Sequence, residues 1–453
     1  MSRASAHLLP AVVALLAAAG SAAAQPGPAQ VDVPFEQYTL PNGLRVVLAP
    51  DPTSPVVAVN LWYDVGSRNE RAGRTGFAHL FEHMMFEGSE NAPKGQHSEL
   101  LREAGATNLN ASTNEDRTNY YQVVPPHRLN LALWLEADRM RSLNVRAEQL
   151  RNQQEIVKEE RRLRVDNAPY TGSFLRALFG GVYDAEGCFP YAHDIIGSME
   201  DLGAAELSDV QEFFRTYYAP NNATLTLVGG FDPASARQMV EEYFGSIPAA
   251  APAPPVVCEN PFRGLPRRES VEDRNATLPA FLASYGAVQA GHPDSYALEL
   301  LGIVLGGGES SRLNQRLVKD ERAASAVFAG AQIRRGPGVF VTYALANQGV
   351  DAARLEALIG EEVAKVRDRG ITAAELSRAK NRFRAQTIRA METAMGRAEA
   401  LQRYALFFRD PGAMKADLAR YDAVTREDVQ RVARQYLTDQ NRAVIVTVPA
   451  PKS

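Results

Sequence analysis

The chain repeats itself. Asp209-Val210-Gln211 returns as Asp428-Val429-Gln430, and in the same register Arg215 matches Arg434, Tyr217 matches Tyr436 and Asn222 matches Asn441. The shift from 209 to 428 is 219 positions, and agreement at six positions in one register exceeds chance. Each copy reads as a helix, a turn and an apolar strand, over Ala223 to Val228 in the first and Ala443 to Val448 in the second. So long a period belongs to two related domains, not to a solenoid, whose units run to roughly 20–50 residues. The length of 453 residues agrees, being too great for one compact core. Pro248-Ala249-Ala250-Ala251-Pro252-Ala253-Pro254-Pro255 is a poor core former and a good semi-rigid spacer. The expected organisation is a first domain over 31–247, a linker over 248–268 and a homologous second domain over 269–449.

Each half mixes strands with helices. Leu44 to Leu48 and Val56 to Trp62 are β-branched or alternating runs, and the Pro and Asp between them predict a hairpin. Leu131 to Met140 and Leu150 to Leu163 read as helices. The expected class is α+β, with helices packed on antiparallel sheets. Gly306-Gly307-Gly308 is not followed by Gly-Lys-Ser/Thr, which excludes a nucleotide phosphate loop of that kind. A formal charge of −4 argues against a nucleic-acid partner, which needs a concentrated basic face.

The N-terminus reads as a targeting segment. Arg3 precedes a short apolar stretch from Leu8 to Ala19, and Ala22-Ala23-Ala24 fits small-residue cleavage before Gln25. Residues 1–24 are therefore expected to be a signal peptide. The mature protein would be exported, to the periplasm if the source is a Gram-negative bacterium, with no membrane span. The two cysteines, Cys188 and Cys258, form neither a disulfide scaffold nor a cysteine metal site. An oxidising compartment would permit one bridge, which spacing alone does not place.

The chemistry concentrates in Gly76-Phe77-Ala78-His79-Leu80-Phe81-Glu82-His83-Met84-Met85-Phe86-Glu87-Gly88. The stretch lacks Pro and is apolar between its polar residues, so a helix is the natural reading. On a helix His79 and His83 lie one turn apart on one face, where two imidazoles reach one metal ion. Glu82 shares that side and can address a water without being a ligand. Zinc accepts imidazole and carboxylate ligands, and a catalytic zinc site keeps one position open. The order His-x-x-Glu-His is the inverted zinc-peptidase signature. A third ligand is needed, and the charged helix around Glu155 to Arg162 offers Glu159 and Glu160. These lie about 100° apart in helical phase, so only one faces the metal, and residue chemistry alone does not choose.

These residues resemble the pitrilysin–insulinase family, which includes the mitochondrial processing peptidase. The resemblance spans Leu40-Pro41-Asn42-Gly43-Leu44, the histidine motif, Asn110-Ala111-Ser112-Thr113, the Glu155 to Arg162 helix, and Leu305-Gly306-Gly307-Gly308 with Ser311-Arg312-Leu313. It implies two homologous domains facing each other across a cavity, one zinc per chain, and hydrolysis of extended or unstructured peptides. It selects Glu160 as the third ligand and makes Glu82 the general base and acid. It also assigns Asn110, Ala111 and Thr113 to an edge strand that pairs with the peptide substrate.

Two departures from the family pattern matter. Gln153 stands where members often carry a glutamate that supports the site. Val318 and Ser325 stand where the second half often supplies an arginine and a tyrosine for the substrate and the oxyanion. The resemblance therefore implies a homologous partner subunit carrying that pair, or alternatively a homodimer. The competing reading is a non-catalytic scaffold subunit of such a complex.

Overall fold

The computed structural model describes residues 33–451, so the expected signal peptide over 1–24 lies outside the described residues. Among the described residues, eleven strands form two sheets. They are β1 (Glu36–Thr39), β2 (Arg45–Pro50), β3 (Val57–Tyr63), β4 (Thr107–Thr113), β5 (Thr118–Val124), β6 (Ala223–Gly229), β7 (Arg267–Asp273), β8 (Ala280–Gly286), β9 (Ala324–Gln332), β10 (Val339–Ala346) and β11 (Arg442–Pro449). The first sheet has the order β1-β2-β6-β3-β5-β4 and the second β7-β11-β8-β10-β9.

The two orders superpose once β1 is set aside. In each half the last strand inserts beside the first, parallel to it (β6 to β2, β11 to β7), and antiparallel to the next (β3, β8). The sheets are thus antiparallel apart from one parallel pair each. The duplicated residues do duplicated work. Asn222 Nδ2 donates to the carbonyls of Tyr217 and Asp64, while Asn441 Nδ2 donates to those of Tyr436 and Gly286. Asp209 and Asp428 each accept a backbone N–H at the start of their helices, from Glu206 and Thr425.

The expected hairpin between β2 and β3 does not form. The two strands belong to one sheet, but β6 separates them, pairing Val46 with Leu225 on one side and Leu61 with Leu225 on the other. A tight turn would have joined them as neighbours. The intervening Asp51–Val56 instead spans a strand's width, with Asp51 Oδ1 accepting from the backbone and hydroxyl of Thr53. Both faces of β3 are buried.

Each half also lends a helix to the other. The helix Thr171–Leu178 of the first half lies on the second sheet, where Ala177 joins Ala280, Leu282 and Ile445 in one cluster and Ser173 bonds Thr447 at 2.7 Å. The helix Ala394–Phe407 of the second half lies on the first sheet, with Gln402 Nε2 donating to the carbonyls of Asn60 and Thr224. The β4–β5 and β9–β10 turns, counterparts under the repeat, meet at a buried ion pair between Arg334 and Glu115 at 2.7 Å. Cys188 and Cys258 are disulfide-bonded. Among the described residues, no helix is long and apolar enough to cross a membrane.

Candidate metal centre

The histidine motif folds as the helix Phe77–Met84. Phe77, Ala78, Leu80, Phe81 and Met84 are buried in the first core, with the rings of Phe81 and Tyr218 4.2 Å apart. That burial turns His79, Glu82 and His83 to the opposite side. The helix start is fixed by Glu70, whose carboxylate accepts from the Gly76 and Ala78 N–H groups at 2.8 and 2.7 Å. Gly76 takes a positive φ of 84° against the Ile196 carbonyl, which excludes a side chain there.

Glu160 reaches the histidines from the helix Ala147–Arg161. Its Oε2 lies 3.3 Å from His83 Nε2 and 3.7 Å from His79 Nε2, and the three ligand atoms lie within 4.8 Å of one another. Glu159, the open alternative, points outward and pairs with Arg162. Arg164, one turn beyond, holds Glu160 Oε1 at 2.7 Å. The histidines sit in different surroundings. Burial, aided by its histidine neighbour, pulls His79 down to about 4. Its Nδ1 is buried without a partner. Burial also pulls on His83, but the Glu160 bond, Glu82 and Gln153 outweigh it and leave the imidazole raised.

Gln153 lies between His83 and Glu87. Its Oε1 is 3.2 Å from His83 Nδ1, and its Nε2 donates to Glu87 Oε1 at 2.6 Å. Lys94 Nζ donates to the other Glu87 oxygen at 2.8 Å. With its amide nitrogen committed to Glu87, Gln153 presents only an acceptor to His83. That fixes a proton on Nδ1 and makes Nε2 the ring atom directed at Glu160.

Glu82 is held by Thr113 Oγ1 at 2.6 Å. Burial raises its carboxyl and the Thr113 bond works against that rise. Thr113 ends β4, which is the terminal strand of its sheet. Asn110 pairs with Tyr121 and Ser112 with Asn119, and the Asn114 N–H bonds the Arg117 carbonyl. By alternation, Asn110 and Ser112 bond inward to β5, leaving the backbone groups of Ala111 and Thr113 on the open edge. Val318 lies in the wide π-helical segment Asn314–Asp320, and Ser325 on β9 donates to the Leu345 carbonyl.

Sequence reading missed Glu70, Glu87, Lys94 and Arg164, and gave Thr113 no link to Glu82. Only Arg164 had a local signal, an i,i+4 acid–base pair with Glu160; the others act across sequence gaps that carry none.

Residues 45–174 match the family model described as insulinase, peptidase family M16, and residues 204–383, which begin before the linker, match the model described as peptidase M16 inactive domain. The zinc protease PqqE of Helicobacter pylori is 30% identical over 419 residues, covering 91% of this chain and 93% of that one. A probable mitochondrial-processing peptidase subunit beta of Arabidopsis thaliana is 25% identical over 421 residues, covering 91% of this chain and 78% of that one. The crystal structure of a protease from Helicobacter pylori superposes with a TM-score of 0.86 at 29% identity, covering 92% of this chain and all of that one. With duplicated sheets, the inverted histidine motif and likeness over nine-tenths of its length, the chain belongs to the insulinase family of peptidases, M16.

Proposed function

We propose that this chain is a zinc-dependent metalloendopeptidase subunit that hydrolyses extended or unstructured peptides. The observation that carries the reading is the spacing of the three ligand atoms. A tetrahedral zinc with bonds of about 2.0–2.1 Å needs ligands roughly 3.3 Å apart; 3.3 and 3.7 Å separate Glu160 Oε2 from the two imidazole nitrogens, and all three atoms lie within 4.8 Å of one another. The donor set of two neutral imidazoles and one carboxylate suits zinc and leaves one position for water. His79, His83 and Glu160 would hold the ion, one per chain. When bound, zinc polarises the scissile carbonyl and lowers the pKa of its water towards about 7.

The chain supplies the rest. Glu82, raised by burial and steered by Thr113, takes a proton from the attacking water and passes it to the leaving amine. The open backbone edge at Ala111 and Thr113 accepts the peptide as an added strand, which binds backbone and leaves sequence largely unread. Val318 and Ser325 supply neither guanidinium nor phenol, so a homologous partner carrying the Arg–Tyr pair completes the oxyanion site. The description of the second family model as an inactive domain accords with a site built from the first half. Export to an oxidising compartment is supported by the apolar N-terminal segment and the Cys188–Cys258 bond.

The test is metal analysis joined to one substitution. Purified protein should hold about one zinc, and Glu82→Gln should keep the metal while turnover falls by roughly 10²–10⁴, the usual share of general acid–base catalysis. Assays belong both on the chain alone and on the chain with whatever co-purifies from its native compartment. Metal content that never exceeds trace would turn the assignment to a scaffold subunit.

A further inference from the structure

Among the described residues, one guanidinium near the site has no ion-pair partner. Arg117 follows the β4–β5 turn and folds back along β4, where its Nη1 donates to the Ser112 carbonyl and to Ser112 Oγ, both at 2.8 Å. Its guanidinium carbon stands 4.9 Å from the centre of the Trp62 ring, a cation–π contact that fixes the plane. Nε is buried without a partner. Among the described residues, Nη2 donates to no protein group and no carboxylate pairs with the arginine.

The acids nearby are all engaged elsewhere. Ser112 Oγ donates to Asn119 Oδ1, and Asn119 Nδ2 donates to Glu399 Oε1 at 3.0 Å. Glu399 also accepts from Asn60 at 2.8 Å and belongs to the helix lent by the second half. Glu82 is bonded to Thr113, and Glu115 to Arg334. Burial acts against the charge of Arg117, with Glu399 and then Glu82 favouring it from a distance. A largely buried cation left without a direct partner is costly, and a carboxylate matches the guanidinium fork bidentately.

Position decides what would supply that carboxylate. Arg117 is anchored to Ser112, one residue from the Thr113 edge group that also holds Glu82. Its bond to the Ser112 carbonyl, which faces β5, and its stacking on Trp62 of β3 set the guanidinium over the sheet face one strand in from the edge. A peptide added along β4, about 4.8 Å further out, therefore meets it through a carboxylate extended over that face and not through its backbone. Resting on the peptidase reading above, we infer that Arg117 binds a carboxylate of the peptide substrate and makes acidic peptides preferred over their neutral counterparts. The carboxylate comes from a Glu or Asp side chain close to the cleaved bond or from the C-terminus of a short peptide, which share one chemistry.

Binding separates this inference from the proposed hydrolysis. Zinc-loaded Glu82→Gln protein would be titrated with C-terminally amidated, Ala-rich peptides carrying one Glu moved stepwise along the chain, each against its Gln counterpart. A second series would compare free-acid and amidated C-termini. One Glu position, or the free acid, should bind about tenfold tighter than its neutral match, the worth of one charge-assisted contact at a partly solvated site. Arg117→Gln should bring that ratio close to one, and Arg117→Lys should retain part of it. Equal binding of acidic and neutral peptides by the Arg117 protein overturns the inference, as does a preference that survives Arg117→Gln. Absence of turnover by the Glu82 parent bears on the proposed hydrolysis alone.

Discussion

Position, more than residue type, decides function in this site. Glu159 and Glu160 are adjacent and chemically equivalent, yet one bonds Arg162 at the surface and the other approaches both imidazoles. Gln153 shows the same point at longer range. It has no charge to offer His83, but Glu87 and Lys94 extend it into a polar chain ending at the surface. Gln153→Leu should therefore weaken zinc binding by roughly 10–100-fold, read by competition with a chelator, because His83 loses the acceptor that fixes its tautomer. The histidines, Glu82 and the Glu159/Glu160 pair were legible because their spacing lies within single helices, where angle follows from residue number. The Gln153–Glu87–Lys94 chain and the destination of Arg117 were not, because each depends on which strands and helices become neighbours.

At the scale of elements, a minority of the strands were readable and their order was not. Apolar alternation marks β2, β3, β6 and β11 closely, but periodicity specifies which faces are buried and carries no information on lateral partners. The hairpin expected from the Pro- and Asp-bearing connection failed for that reason, as a strand from far along the chain filled the gap. Helix starts are better encoded. Thr372 and Glu375 form a reciprocal cap at the helix Ala373–Ala390, and Glu375 also bonds Arg312 of the Ser311-Arg312-Leu313 motif at 2.6 and 2.9 Å. Burial works to raise the Glu375 carboxyl, but the Arg312 bonds and the Thr372 N–H hold it at about 2, below its ordinary 4.5. A depressed carboxyl stabilises the fold above its unfolded value and loses that contribution as pH falls through the folded one. Glu375→Ala should destabilise by about 1 kcal/mol at pH 7, with the gap from the parent closing between roughly pH 4.5 and 2. Denaturant melts at stepped pH read it directly, and a gap that widened in acid would contradict the assignment.

Across the whole molecule, the duplication foreseen from six matched residues reappears as matched topology and matched side-chain bonds. The symmetry ends at the chemistry. The first half carries the metal-type cluster on two helices, with Glu82 beside it tied to edge strand β4, while the matching edge strand β9 of the second presents Ser325. The halves are joined where their counterpart turns meet, through Arg334 and Glu115, whose side chains are only 5% and 16% exposed. Arg334→Ala leaves Glu115 largely buried without its cation and should cost about 3–5 kcal/mol in denaturant unfolding, far more than a surface pair.

The traded helices have a further consequence for how such a chain could arise and be divided. A lone half would carry its own helix pointing away from its own sheet, with that sheet bare on one side. It would become fully covered only by swapping with a second copy, so the unduplicated ancestor is implied to be an obligate pair that gene fusion made into one polypeptide. Severing the backbone within the Pro/Ala-rich stretch should run that history backwards. Neither fragment should stay soluble by itself, and the two made together should reassemble.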